Sequence, residues 1–144
     1  MDDFIPSIKV KFFITGDDFD LDEVTNRVGI NPTRARTKDS FPPQTIQAGF
    51  ACNEWLIETT EENCLAVAIK FEEMLSMLKG KTENIKSLCD DYNLETGFVI
   101  VIHMVGEDNP EMILPREVIS FAASMNADIA FDMYVYCDGE PLLD

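Results

Sequence analysis

The run Gly97-Phe98-Val99-Ile100-Val101-Ile102-His103-Met104-Val105 constrains the fold more than any other stretch of this chain. It is continuously apolar and β-branched, the pattern of a strand in the interior of a sheet. A central strand needs neighbours to pair with and helices to cover it, and the rest of the sequence supplies both.

Residues 8 to 14 (Ile-Lys-Val-Lys-Phe-Phe-Ile) alternate apolar with basic up to Phe13, as a strand with one buried face does, and Gly16 ends it. Asp20 then stands at an N-cap position, with Glu23 three residues on at the capping-box spacing. Leu21, Val24 and Val28 form an apolar stripe, Gly29 suits a C-cap, and Asn31-Pro32 forbids continuation. From Thr33 to Asn53 the periodicity is lost among Pro42-Pro43, Gly49 and the bases Arg34, Arg36 and Lys38, which predicts a long loop, either ordered or mobile. Glu54 to Thr59 resumes as a strand. A helix is expected from about Glu61 to Lys79, with Leu65, Ile69, Met74, Leu75 and Leu78 inward, and another from Thr82 through Ile85, Leu88, Cys89 and Tyr92. Pro115 opens a last helix with Val118, Ile119, Ala122 and Met125 inward. Asp128 to Tyr136 alternates again, with Ile129, Phe131, Met133 and Val135 on one side. The expected fold is α+β: a four-stranded, mainly antiparallel sheet with helices packed on one face. Length predicts one domain, 1–144, with a core of about 8–136 and a loop of about 33–53.

Composition excludes several functions. The net charge of −16, from 27 acids against 11 bases, repels phosphate backbones and argues against nucleic-acid binding, while favouring encounter with a basic protein partner. No apolar run approaches the roughly 18 residues that span a bilayer. The start, Met1-Asp2-Asp3-Phe4-Ile5-Pro6, has acids where a secretory signal carries bases, so a cytoplasmic protein without membrane association is expected. Cys52, Cys64, Cys89 and Cys137 form no C-x-x-C pair and are read as reduced, mostly buried thiols.

Five acids crowd Gly16 to Glu23 and invite a calcium reading, with Asp18, Asp20 and Asp22 at loop positions 1, 3 and 5. Register rejects it: Glu23 stands where the loop needs glycine, and Gly29 where it needs a bidentate Glu. As a helix start the same acids are accounted for, because Asp20 caps and Asp22 and Glu23 meet the positive end of the helix dipole. His103 sits in the most apolar strand and reads as a satisfied core or edge histidine. With no nucleophile elbow, glycine-rich phosphate loop or H-E-x-x-H, the sequence leans away from an enzyme and names no cofactor, metal or catalytic residue.

Asp132, mid-strand between Phe131 and Met133, reads first as an outward residue on a solvated sheet face. Alternatively it anchors the loop by pairing with Arg34, Arg36 or Lys38. Ala130, Tyr134 and Tyr136 beside it would make an aromatic surface suited to protein binding if no helix covers them.

Phe13-Ile14-Thr15-Gly16-Asp17-Asp18-Phe19-Asp20, Val28-Gly29-Ile30-Asn31-Pro32-Thr33, Trp55 at the second strand and Phe131-Asp132-Met133-Tyr134 together resemble a bacterial family, the domain-of-unknown-function family 4279. The resemblance covers about residues 8 to 136. It implies no activity and no catalytic residues. Small acidic proteins of this kind occur among toxin-immunity proteins, which makes an inhibitor role an analogy. The proline-rich 33–55 segment departs from the family pattern in lacking an early glycine after Pro32-Thr33.

The expected function is a non-enzymatic protein-binding module, an immunity-type inhibitor of a basic toxin being the specific form. Its expected surface comprises Asp17, Asp18, Asp22, Glu23, Arg34, Arg36, Trp55, Asp132 and Tyr134. Two alternatives stand beside it: a small-ligand-binding protein or enzyme using the basic loop and Asp132, and a structural or oligomeric domain.

Overall fold

The computed structural model of the protein describes residues 5–137. Asp2, Asp3 and the chain beyond Cys137 lie outside the described residues, so the two ends of the expected 1–144 domain do too. The elements are β1 (Ser7–Gly16), α1 (Leu21–Val28), β2 (Arg34–Arg36), a 3-10 turn (Lys38–Ser40), α2 (Pro43–Gln47), β3 (Asn53–Glu58), β4 (Glu62–Asn63), α3 (Val67–Leu78), α4 (Thr82–Tyr92), β5 (Glu95–Val105), α5 (Arg116–Ser124) and β6 (Asp128–Tyr136).

The class is α+β, but the sheet has six strands rather than four. Its order is β2-β3-β1-β5-β6, with β4 pairing the start of β1. It is mixed: β6 runs parallel to β5, whereas β1 pairs β3, β4 and β5, and β2 pairs β3, antiparallel. The parallel pair follows from its connection, because the chain between β5 and β6 crosses over through α5 instead of turning in a hairpin.

The additional strands escaped the sequence reading because they are short. Arg34-Ala35-Arg36 and Glu62-Asn63 are extended because β3 and β1 pair with them, and two or three residues carry no readable period. The 33–53 segment is thus structured rather than a plain loop, with β2, a 3-10 turn and α2 in it. Pro43 occupies the first turn of α2, where its missing N–H costs nothing.

Strand alternation sorts the sheet into two faces. Ile8, Val10, Phe12 and Ile14 of β1, Trp55 and Ile57 of β3, and Phe98, Ile100, Ile102 and Met104 of β5 share one face and are buried. The helices bury Val24, Val28, Val67, Phe71, Met74, Leu78, Ile85, Leu88, Val118 and Ala122 into the same cluster. Phe98 is its hub, with ring centroids 5.0 Å from Phe12, 4.9 Å from Phe71 and 6.4 Å from Phe121. Helix α3 starts at Val67, later than expected, since β4 and a bridge from Ala66 to Glu111 use the preceding residues. Leu65 and Ile69 are consequently 66% and 59% exposed instead of inward, and Ile119 of α5 also points out. The inward side of α3 includes Lys70, only 2% exposed, whose ammonium reaches Glu62 at 2.8 Å and Glu73 at 3.1 Å. Burial works to lower the Lys70 pKa, but the two carboxylates outweigh it and leave it raised.

The acidic turn is built as capping requires. The Asp20 carboxylate accepts from the Asp22 N–H at 2.9 Å, and Gly29 closes α1 at φ 78°. Glu23, however, does not reach back to the cap. It accepts from the Tyr92 hydroxyl and pairs with Arg27, which also binds Asp91 at 2.9 Å, so this acid joins α1 to α4. Asn53, 5% exposed, donates to the Phe19 carbonyl and accepts from the Lys38 N–H, both at 2.9 Å, pinning the acidic turn to the basic segment.

Candidate functional site

The second face of the sheet carries the intervening residues of the same strands. Lys9, Lys11, Phe13 and Thr15 of β1 point there, with Glu54, Leu56 and Glu58 of β3 and Arg34 and Arg36 of β2 alongside by register. Gly97, Val99, Val101 and His103 of β5 follow, then Asp128, Ala130, Asp132, Tyr134 and Tyr136 of β6. Among the described residues the core cluster draws on none of these side chains, although Leu56 and Val101 are themselves buried at 5% and 4% exposure. Gly97 is required here by close approach, since a Cβ would stand 2.5 Å from the Phe13 ring.

The face has two chemically different halves. In the β5–β6 half, His103 stacks on Tyr134 with centroids 4.6 Å apart and 9° between planes, and on Tyr136 at 6.1 Å. His103 Nδ1 lies 3.2 Å from the Tyr136 hydroxyl, and Nε2 lies 3.9 Å from Glu61. The Tyr134 hydroxyl donates to Asp132 at 3.1 Å, and that bond, with the adjacent negative charge, raises the Tyr134 pKa. Strand β6 is also the sheet edge, with its outer side unpaired among the described residues. On its other side, toward the helices, Phe131, Met133 and Val135 remain 41%, 43% and 57% exposed. The edge strand therefore offers apolar or aromatic side chains on both faces.

The β1–β3–β2 half is charged. Glu54 receives both Arg34, at 3.1 Å, and Arg36, at 3.6 Å. The Arg36 guanidinium lies 3.9 Å above the Phe41 ring, and its buried Nε has no hydrogen-bond partner among the described residues. Lys9 pairs with Glu58 at 3.5 Å. A concavity of about 270 Å³ opens here, lined by Lys9, Lys11, Thr33, Arg34, Leu56 and Glu58.

The expected surface residues are not gathered in one place. Asp132 and Tyr134 stand together on β6, whereas Arg34 and Arg36 lie on β2 at the opposite edge, four strand spacings or about 19 Å away. The pairing of Asp132 with the basic segment is overturned: Asp132 binds Tyr134, the arginines bind Glu54, and Lys38 binds Asp17 at 3.5 Å. Trp55 has no exposed surface and is a core residue, its indole N–H donating to Thr25 at 3.0 Å. Asp18 and Asp22 are exposed at the start of α1. Sequence reasoning missed Lys9, Lys11, Thr33 and Glu58, although the alternation of Lys9 and Lys11 with apolar neighbours already put both on one face.

A family match covers residues 6–136, from β1 through β6, under the description Domain of unknown function (DUF4279). The chain belongs to this family. No curated protein and no solved structure matches it. The match takes in both halves of the open face, so the DUF4279 unit includes the aromatic edge and the basic concavity alike.

Elsewhere in this DUF4279 domain, a cavity of about 470 Å³ lies where α4 and α5 end and β5 and β6 begin, between Asn93, Asn126, Asp90, Glu95 and Asp128. Cys89 lines it, and burial followed by the Asp90 charge pushes this thiol up to about 11, which makes it a weak nucleophile. The expectation of mostly buried cysteines does not hold: Cys52, Cys64 and Cys89 are half-buried and Cys137 is exposed. No helix among the described residues is long and apolar enough to cross a membrane.

Proposed function

We propose that this protein is a non-enzymatic binding module whose partner is a basic protein that adds an extended segment to the β6 edge. The observation that carries the reading is the edge itself: nine residues, Asp128–Tyr136, whose outer side is unpaired among the described residues, with exposed Phe131, Met133 and Val135 on one face and Tyr134 on the other. A partner strand would gain main-chain hydrogen bonds along it and side-chain contacts on both faces.

Charge selects the occupant. A second copy pairing antiparallel about the middle of β6 would set Asp132 against its own counterpart, and like charges directly opposite destabilise such a pair. A segment with Lys or Arg at that position is favoured instead, and the net charge of −16 draws such a partner in. Inhibition of a basic toxin is the specific form of this reading. In its favour are the exposed acids Asp18 and Asp22, which add to the attracting field.

The test is capture from the native host with the wild-type chain and with Asp132→Lys, followed by purification of the recovered protein and direct titration. A basic partner whose affinity falls at least about tenfold with Asp132→Lys, and falls again as salt rises, is the expected result. A partner that binds the wild type and Asp132→Lys equally sinks the β6 reading.

A further inference from the structure

The concavity between β1 and β2 has a chemistry of its own, independent of any protein docking on β6. Among its six lining residues, Lys9, Lys11, Thr33 and Arg34 offer donors, Glu58 alone is an anionic acceptor, and Leu56, 5% exposed, forms an apolar floor. The donors are not exhausted by internal contacts. Lys11 stands opposite Glu58 in the strand register, but Glu58 is engaged by Lys9 at 3.5 Å, and Lys11 has no carboxylate within ion-pair distance among the described residues. Arg34 gives only Nη2 to Glu54, leaving the rest of its guanidinium fork. Thr33 accepts from the Glu58 N–H at 3.1 Å through its hydroxyl oxygen, so its own O–H remains to donate.

Three cations against one carboxylate make this cavity positive by two charges in a chain whose acids outnumber its bases 27 to 11. So acidic a chain had carboxylates in ample supply to neutralise three clustered bases, yet among the described residues Lys11 is left without one. The overall negative field does not cancel the local one. At physiological ionic strength it is screened over about 8 Å, and α1 belongs to the helix layer on the other face of the sheet.

We propose that this concavity is an oxyanion site that takes a doubly charged phosphate group, held by Lys9, Lys11 and Arg34 with the Thr33 hydroxyl as a fourth donor. A dianion matches the local excess of two charges, and three or more acceptor oxygens match the donor count. Two sources share this chemistry: a free phosphomonoester or inorganic phosphate, and a phosphorylated side chain of another protein.

Titration of the ¹⁵N-labelled full chain with inorganic phosphate, against sodium chloride of equal ionic strength, tests the site. The amides of Lys9, Lys11, Thr33 and Arg34 are expected to shift in a saturable way with phosphate only, with half-saturation on the order of 1 mM for so open a site. Lys11→Met raises the half-saturation at least about tenfold, whereas Lys79→Met, at an exposed position just after α3, leaves it unchanged. A short phosphoserine peptide that binds tighter than phosphate assigns the source to a protein, and equal binding assigns it to a small phosphate. Shifts that follow ionic strength alone, or a Lys11→Met chain that titrates as the wild type does, overturn the proposal.

Discussion

The two faces of β1 are made from one ten-residue strand and have different roles. Toward the helices it presents Ile8, Val10, Phe12 and Ile14, none with any exposed surface. Toward solvent it presents Lys9, Lys11 and Phe13, with Val99, Val101 and His103 of β5 beside them. The first set is constrained by volume, since each side chain must fill a shape made by several helices. The second carries the charged pairs and the histidine–tyrosine stack, with close packing confined to the Phe13–Gly97 contact and to buried Leu56 and Val101. A mutation on the covered face should therefore be read in stability, and one on the open face in binding.

The strongest way to break this division is at its hub. Phe98→Ala is expected to destabilise the chain by about 3–5 kcal/mol, because it empties the contact among Phe12, Phe71 and Phe121. Urea denaturation checks it, and a loss below about 1 kcal/mol would mean the aromatic cluster is not the centre of the core.

A smaller effect comes from Cys89, beside the core on α4. Its thiol titrates near 11 when folded, against an ordinary 9.0 when unfolded. Between those values the unfolded chain has lost a proton that the folded chain keeps, so stability falls as pH rises through this window. Cys52 and Tyr92, also raised, add the same sign. Thermal melts of wild type and Cys89→Ala between pH 8 and about 11 isolate the Cys89 share: the variant should lose less stability over that range. Equal slopes would show that the Cys89 thiol is solvated like an unfolded one.

The smallest effect is expected where the covered layer itself breaks the rule. Lys70→Met should change stability by no more than about 1 kcal/mol, because the apolar stem is retained and Glu62 and Glu73, at 59% and 43% side-chain exposure, can be solvated. A loss of several kcal/mol would show that the ion pair to β4 holds α3 in register.

Elements dominated by a single period were legible in the sequence. Helix α1 has the bounds that Asp20, Gly29 and its apolar stripe imply, and the alternation from Asp128 to Tyr136 marks β6 residue for residue. What local pattern cannot carry is a partner. Strands β2 and β4 exist because β3 and β1 pair with them, and Glu23 leaves its capping role for Tyr92 and Arg27, 69 and 4 positions away. The candidate sites were legible only in part for the same reason. Asp132 and Tyr134 are near neighbours in sequence and remain so in space, while Arg34, Arg36 and Asp132 share a face but not an edge. The concavity joins Lys9 and Lys11 to Thr33 and Arg34 through a register that no spacing reveals.

The place of β5 between β1 and β6 also determines when this molecule can become itself. Lys9 and Val101 are strand partners although most of the chain lies between them. During synthesis β1 emerges before β5 and can meet β3, but the ladder that completes its covered face arrives only after both α3 and α4. Until then Ile8, Val10, Phe12 and Ile14 have half a sheet against them, and the loop that must close is long. Such distant pairing slows folding. A chain cut after α4 would keep β1, β3 and the helices α1, α3 and α4, yet lack Phe98, Ile100 and Ile102 of the strand that joins them into one interior.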